Sequence, residues 1–230
     1  TKIVLADNIK LRHTRLDMHF LCALSQKLAL LPNLKNRMLY YPNNSIYVIG
    51  DEVRYIEYKY QHGRRMHQIS SVSNTEYLQK ILQQAEKGIT LMQAKQLLRH
   101  NDVTDEEATA FIDELLQSQI VVSELEPAVT GDEFIHQVAE ILKKYNTGTN
   151  DELATVVNLL NQIIKLLAGL DANPDNKPES YNEIILLVQA LDIEYDETKL
   201  FRTDLFKSVL YGSVDKRLQS EILSALEFLK

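Results

Sequence analysis

The spacing of apolar residues changes several times along this chain, and each change predicts a different element. Ile9, Leu11 and His13 alternate with Lys10, Arg12 and Thr14, the period-two pattern of a half-exposed strand. Asp17 then stands at a helix N-cap position before MHFLCALSQKLALLP, and Pro32 stops that helix. The next runs, RMLYY, SIYVIG, EVRYIEYKY and RRMHQISSV, are rich in Tyr, Ile and Val. Pro42-Asn43-Asn44, Gly50-Asp51 and His62-Gly63 separate them as turns, so the segment predicts an antiparallel meander. Tyr40, Tyr41, Tyr47, Tyr55, Tyr58, Tyr60 and, just beyond, Tyr77 put long side chains on both of its faces.

Helical spacing then takes over, and the helix starts are written as capping boxes. Ser or Thr at the N-cap, with Glu or Gln three residues on, satisfies two orphan N–H groups reciprocally. The pairs are Ser73 with Glu76, Thr90 with Gln93, Thr104 with Glu107, Thr130 with Glu133, Thr149 with Glu152 and Ser180 with Glu183. Each precedes apolar residues at helical spacing, which predicts six helices. In the third, Ala108, Phe111, Ile112, Leu115 and Leu116 form one apolar stripe, and Ile120-Val121-Val122 reads as a short strand ending by Pro127. TGTND is read as a linker and DANPDNKPES as a loop; LFRTDLFKSVL is read as a strand and SVDKRLQSEILSALEFLK as a final helix.

The expected fold class is therefore α+β. A winged-helix-like module of a three-stranded antiparallel sheet plus three helices occupies residues 36–128, within a larger mixed helix and strand domain. A strand–helix piece at 1–35 precedes it, and a mostly helical remainder at 129–230 carries a strand near 200–210.

Composition narrows the classes. A hydrophobic content of 45% supports a core, and a charged content of 25% excludes global disorder. Cys22, the single cysteine, lies in an apolar run and reads as a small core residue in a reducing compartment. No apolar signal segment opens the chain, and runs such as 184–188 are too short to span a bilayer, so a cytoplasmic location without a membrane segment is expected.

Net charge is −7, but residues 1–74 carry eleven Lys/Arg against five Asp/Glu. A winged helix that reads DNA inserts a basic third helix into the major groove. Here that helix, TDEEATAFIDELLQS, holds five acids and no Lys or Arg, and would be repelled by phosphate. A sheet edge beside an apolar helix face suits the addition of an extended peptide as a further strand, and the edge here is 64–72, carrying Arg64, Arg65 and His67. A winged-helix regulatory module that binds DNA or protein, or an architectural domain without catalysis, is the alternative.

Candidate metal sites fail on spacing. His13, Asp17 and His19 straddle a strand–helix junction and do not share a face. Asp171, Asn173 and Asp175 imitate a calcium loop, but Asn176 replaces its glycine and Asn182 its closing glutamate, so the segment reads as a turn. No Gly-rich phosphate loop, GxSxG or HExxH occurs, and no metal or bound cofactor is expected.

The stretches SSVSNTEYLQKILQQAEKGIT and DEEATAFIDELLQSQIVVSELEPAVTGDEF, with LFRTDLF before the last helix and HTRLDMHFL near the start, carry a family likeness. The chain resembles the N-terminal, glutamylating region of class I lantibiotic (lanthipeptide) dehydratases. The resemblance implies an enzyme that esterifies Ser and Thr of a precursor peptide with glutamate from glutamyl-tRNA, then eliminates glutamate to leave dehydroamino acids. It implies as partners the leader peptide, glutamyl-tRNA as co-substrate and a cyclase of the same pathway. By the same resemblance 36–128 is a leader-peptide recognition element, and 1–35 and 129–230 are pieces of the glutamylation domain. The leader would lie along 65–72 and against the third helix, contacting Arg65, His67, Ile69, Val72, Phe111, Ile112 and Leu115. Asp17 and Asp204 match acidic residues of the glutamylation site, and Arg12, Arg15 and Arg202 would meet tRNA phosphate or the glutamyl carboxylate. The TPFG motif and the elimination domain have no counterpart here, so the chain is expected to be part of a longer enzyme and inactive alone.

Overall fold

The computed structural model describes residues 2–61, 64–99, 103–128, 130–146, 152–173 and 177–228. The His62-Gly63 turn, the whole TGTND linker with its Thr149 cap, and Asp175 and Asn176 lie outside the described residues. The architecture is α+β, with several small antiparallel sheets among helices. It forms two compact units, Met18–Asn161 on one hand and Thr1–Asp17 with Gln162–Lys230 on the other.

The unit Met18–Asn161 begins with α1 (Met18–Leu30) and α2 (Pro32–Lys35). Next come β2 (Tyr40–Pro42), β3 (Tyr47–Ile49), β4 (Glu52–Gln61) and β5 (Arg64–Ser73), numbered after β1 (Lys2–Leu16) of the other unit. The helices α3 (Glu76–Ala85), α4 (Leu91–Leu98) and α5 (Asp105–Gln117) follow, then β6 (Val121–Ser123) and α6 (Phe134–Tyr145). Strands β3, β4 and β5 form one antiparallel sheet in that order, turned between β3 and β4 at Gly50, whose φ of 58° lies in the left-handed region that glycine enters without strain. The Tyr-rich meander is thus not one sheet, because β2 pairs instead with β6, Tyr41 opposite Val122.

The core of this unit is built from Leu21, Leu24, Leu34, Met38, Val53, Tyr55, Ile81, Ile120, Leu125 and Leu142, all buried. Within the sheet, Val53, Tyr55 and Glu57 of β4 point to the covered face. Arg54, Ile56 and Tyr58 alternate with them on the other face.

Two capping boxes stand as read. Thr90 accepts from Gln93 N–H and Thr104 from Glu107 N–H, with the reciprocal side-chain bonds present. Three readings are corrected. The N-cap of α3 is Thr75, whose hydroxyl accepts from Leu78 N–H, because β5 continues through Ser73. Helix α6 starts only at Phe134, after a turn in which Gly131 has φ 113°, so Thr130 caps nothing. Ser180 lies inside a 3-10 turn, Pro178–Tyr181, and α8 (Asn182–Ala190) starts behind it without a side-chain cap.

In the other unit, β1 pairs antiparallel with β7 (Phe201–Ser213), and α9 (Lys216–Phe228) follows. Helix α7 (Glu152–Ala172) runs from the unit Met18–Asn161 into this one, and is long and apolar enough to cross a membrane by length and composition, unlike any run noted in the sequence. Its burial is one-sided: Leu153, Val157, Leu160, Ile163, Leu167 and Leu170 are buried, while Asn158, Asn161, Gln162 and Lys165 are exposed. That is the stripe of a helix packed on protein along one face.

Candidate peptide-binding edge and charged ribbon

The two long edges of the β3–β4–β5 sheet differ in what satisfies them. Beyond the short β3, the free edge of β4 is closed by side chains. Ile56 N–H donates to Ser45 Oγ at 2.8 Å, and Ile56 C=O accepts from Asn43 Nδ2 at 2.9 Å. Tyr58 N–H donates to Gln119 Oε1 at 3.0 Å, and Tyr58 C=O accepts from Gln119 Nε2 at 2.8 Å. Gln119 reaches them from a left-handed turn, φ 59°, between α5 and β6.

Those bonds also fix the polarity of β5. The backbone groups of Ile56 and Tyr58 point away from β5, so their register partners Ile69 and His67 form non-hydrogen-bonded pairs with them. The N–H and C=O groups of His67, Ile69 and, by the same alternation, Ser71 therefore point out of the sheet. Among the described residues β5 pairs with no strand but β4, so this row is an open edge. His67 and Ile69 are exposed there, with Ile69 at 68%.

The other peptide-contact residues read from the sequence do not all face this edge. Val72 and Phe111 are half-buried, while Ile112 and Leu115 are each 3% exposed and belong to the core under α5. Arg65 is drawn inward, its guanidinium 3.5 Å above the Tyr58 ring centroid and 3.5 Å from Glu126. Gln26 donates to the Tyr58 hydroxyl at 2.9 Å. Burial pushes the Glu126 carboxyl up, against the opposing pull of Arg65, and burial likewise raises the Tyr58 hydroxyl.

This cluster borders a cavity of about 420 Å³ between α1, α5 and β6, lined by Leu30, Met38, Leu116 and Val122. The cavity lies against the flank of α5 that carries Asp113 and Leu116. Phe111 sits on the opposite flank, about 140° away around the helix. Of the other acids of α5, Asp105, Glu106 and Glu107 begin the helix and Glu114 follows Asp113, all exposed, which leaves no basic face for a DNA groove.

On the ribbon of the other unit, register places His13 opposite Asp204 and Arg15 opposite Arg202, so these four side chains share one face. Arg15 Nη2 donates to Asp204 Oδ2 at 2.5 Å, and Arg202 Nε lies 3.6 Å from Asp204 Oδ1. Arg12 projects from the other face, with Nη2 donating to Asn173 C=O at 2.9 Å and Nε 3.4 Å from Asp171. Asp17 bonds through its N–H to Leu200 C=O at the end of the ribbon, four residues along from the pair His13–Asp204. That offset is about 13 Å of strand, so Asp17 and Asp204 are not a carboxylate pair sharing one proton.

Sequence reasoning took Asp171 for a turn residue; it lies instead in the last turn of α7, and its two oxygens accept from Thr14 N–H at 3.0 and 2.9 Å and hold the edge of β1. Sequence reasoning missed Gln119, Asn43 and Ser45, whose roles depend on a strand far away in sequence. No group of three or more His, Cys, Asp or Glu side chains able to hold a metal occurs among the described residues.

Solved structures share this fold. The tRNA dependent lantibiotic dehydratase MibB from Microbispora sp. 107891 matches with a TM-score of 0.64 at 16% identity, over 97% of this chain and 22% of that one. The glutamylation domain of TbtB from thiomuracin biosynthesis matches at TM-score 0.54 and 14% identity, over 89% of this chain and 23% of that one. The same domain bound to 5'-phosphodesmethylglutamycin gives 0.53 and 14%, over 88% and 23%. The chain thus spans between a fifth and a quarter of the length of these proteins. No curated protein matches it. Residues 1–230 match, from one end to the other, the family described as lantibiotic dehydratase, N terminus, and the chain belongs to that family.

Proposed function

We propose that this chain is the part of a lanthipeptide dehydratase that holds the leader of a precursor peptide and contributes to glutamyl-tRNA-dependent glutamylation of its Ser and Thr residues. Residues 36–128 act as a winged-helix-like recognition element, and the leader adds to β5 as a further strand. The observation that carries this is the asymmetry of the sheet: side chains close the edge of β4, whereas His67, Ile69 and Ser71 aim their backbone groups outward. Phe111, half-buried on the flank of α5 away from the cavity, is the helix contact kept from the sequence reading.

Residues 1–35 and 129–230 belong to the glutamylation half. In that reaction a Ser or Thr hydroxyl of the peptide attacks the glutamyl carbonyl and the tRNA hydroxyl leaves. Later elimination, elsewhere in the whole enzyme, releases glutamate and leaves the dehydroamino acid. Arg15 and Arg202, held on either side of Asp204, supply a cationic face for tRNA phosphate or the glutamyl carboxylate. Asp204 positions those guanidinium groups. Arg12 keeps the ribbon against Asp171 and Asn173, and Asp17 stands apart at the ribbon's end.

The test uses the full-length enzyme with the labelled leader of the precursor encoded beside it. Micromolar binding that is lost on Ile69→Asp or Phe111→Asp, and kept in Asp204→Asn while glutamylation falls at least tenfold, is the expected result. A folded enzyme that binds no leader overturns the recognition role. Full glutamylation by Asp204→Asn overturns the role given to the ribbon.

A further inference from the structure

We infer that the β3–β4–β5 sheet reads one apolar residue of the bound peptide through the exposed cross-strand pair Ile56 and Ile69. This rests on strand addition along β5 and adds which face, and which side chain, carries the selectivity.

Register places Ile56 directly opposite Ile69, on the face that does not carry Val53 and Tyr55. Both are exposed, at 44% and 68%. A single exposed isoleucine needs no explanation, but here two form one row that runs across the sheet and ends at the open edge. Because Ile69 points its N–H and C=O outward, the peptide residue paired with it sits about 5.5 Å away with its side chain on the same face. That spacing is the one for antiparallel addition; in parallel addition the paired side chain also lies on this face, and either way the row extends to Ile56, Ile69 and the peptide.

The rows on either side differ. One is Tyr58 with His67, the other Arg54 with Ser71, and both end in a polar side chain at the edge. On this face an apolar peptide residue therefore gains burial at one position only, with positions two residues before and after it facing polar neighbours. Arg65 is engaged by Glu126, but β5 carries no acid and the row beside Ile69 ends in His67, so the segment that fits is one without cations. The occupant is an extended leader segment of polar, any, apolar, any, polar pattern.

The experiment measures binding of the labelled leader to the full-length enzyme and to Ile69→Thr, Ile56→Thr and Val48→Thr. Threonine keeps strand propensity and removes the apolar surface. Val48 is 57% exposed on the opposite face and away from the β5 edge, and serves as the control. Each isoleucine variant weakens binding about three- to tenfold, and Val48→Thr stays within about twofold. In parallel, each apolar leader residue is replaced by Ser. One of these replacements weakens binding to the unsubstituted enzyme but has little further effect on Ile69→Thr. If the leader binds and both isoleucine variants match the unsubstituted enzyme, the apolar row is overturned while strand addition stands. If leader replacements and Ile69→Thr simply add, the assigned contact is overturned even where Ile69→Thr weakens binding by loss of fold. If the folded enzyme binds no leader, both readings fall together.

Discussion

Replacing Gln119 by alanine separates the two things that residue does. Its side chain amide serves both backbone groups of Tyr58, at 3.0 and 2.8 Å, in a half-buried position. A hydrogen bond of this kind contributes about 1 kcal/mol net, so losing both costs about 2 kcal/mol. Its backbone sits at φ 59°, which alanine relieves no better than glutamine does. Glycine at the same position loses the same bonds but recovers about 1 kcal/mol of left-handed strain, so Gln119→Gly costs about 1 kcal/mol. Urea denaturation gives the two totals, and hydrogen exchange at the Tyr58 amide gives the local effect, with protection falling in both variants. A Gln119→Ala protein within about 0.5 kcal/mol of the parent, or a glycine variant less stable than the alanine one, refutes the edge-closing role.

Ile112→Ala opens a cavity under α5 and lowers stability by about 3 kcal/mol, while Phe111→Ala, on the half-buried flank, costs less than half of that in the same melt. Thr104→Ala removes one half of a complete capping box and costs about 1 kcal/mol, which urea titration resolves and which an unchanged midpoint would contradict. Burial raises the Glu126 carboxyl, so the folded chain keeps its proton to higher pH than the unfolded chain does. Stability therefore falls as pH rises from the ordinary carboxyl range through the raised value. Glu126→Gln flattens that fall in a pH series of denaturation curves, and an unaltered slope rules the assignment out.

Local chemistry was readable wherever a residue's role is settled within a few positions. Thr90 and Thr104 announced their helices because the cap and its partner lie three residues apart. Ser73 misled by two residues because Thr75 is as good a cap, and strand pairing takes the serine itself as the last residue of β5. Gly131 and Pro178 delayed the next two helices by imposing turns that the capping pattern does not register. Pairing across long separations was not readable at all. Nothing near Tyr41 says that its partner is Val122, and nothing near His13 says that it faces Asp204.

The same limit governed the sites. The edge of β5 was legible as a basic, Tyr-flanked strand, and in the structure His67 and Ile69 are exposed on it. Ile112 and Leu115 read as a binding stripe because an amphipathic pattern marks an apolar face without saying whether protein already covers it. Arg65 looked like an edge cation because Tyr58 and Glu126, which hold it inward, are 7 and 61 residues away.

The ribbon has a practical consequence for anyone handling this stretch of the enzyme. In β7, Leu205, Phe206, Val209, Leu210 and Tyr211 are all more than half exposed. Among the described residues the strand has β1 on one side and no strand on the other. A long, flat, apolar strand with a free side is a template for self-association, and a two-stranded ribbon offers little stability of its own against it. Lys207 is the one charge between 205 and 211 and acts as the gatekeeper of that segment. The self-association of this strand is thus opposed by a single lysine, and a second charge at Val209 or Leu210 is the change that would oppose it further.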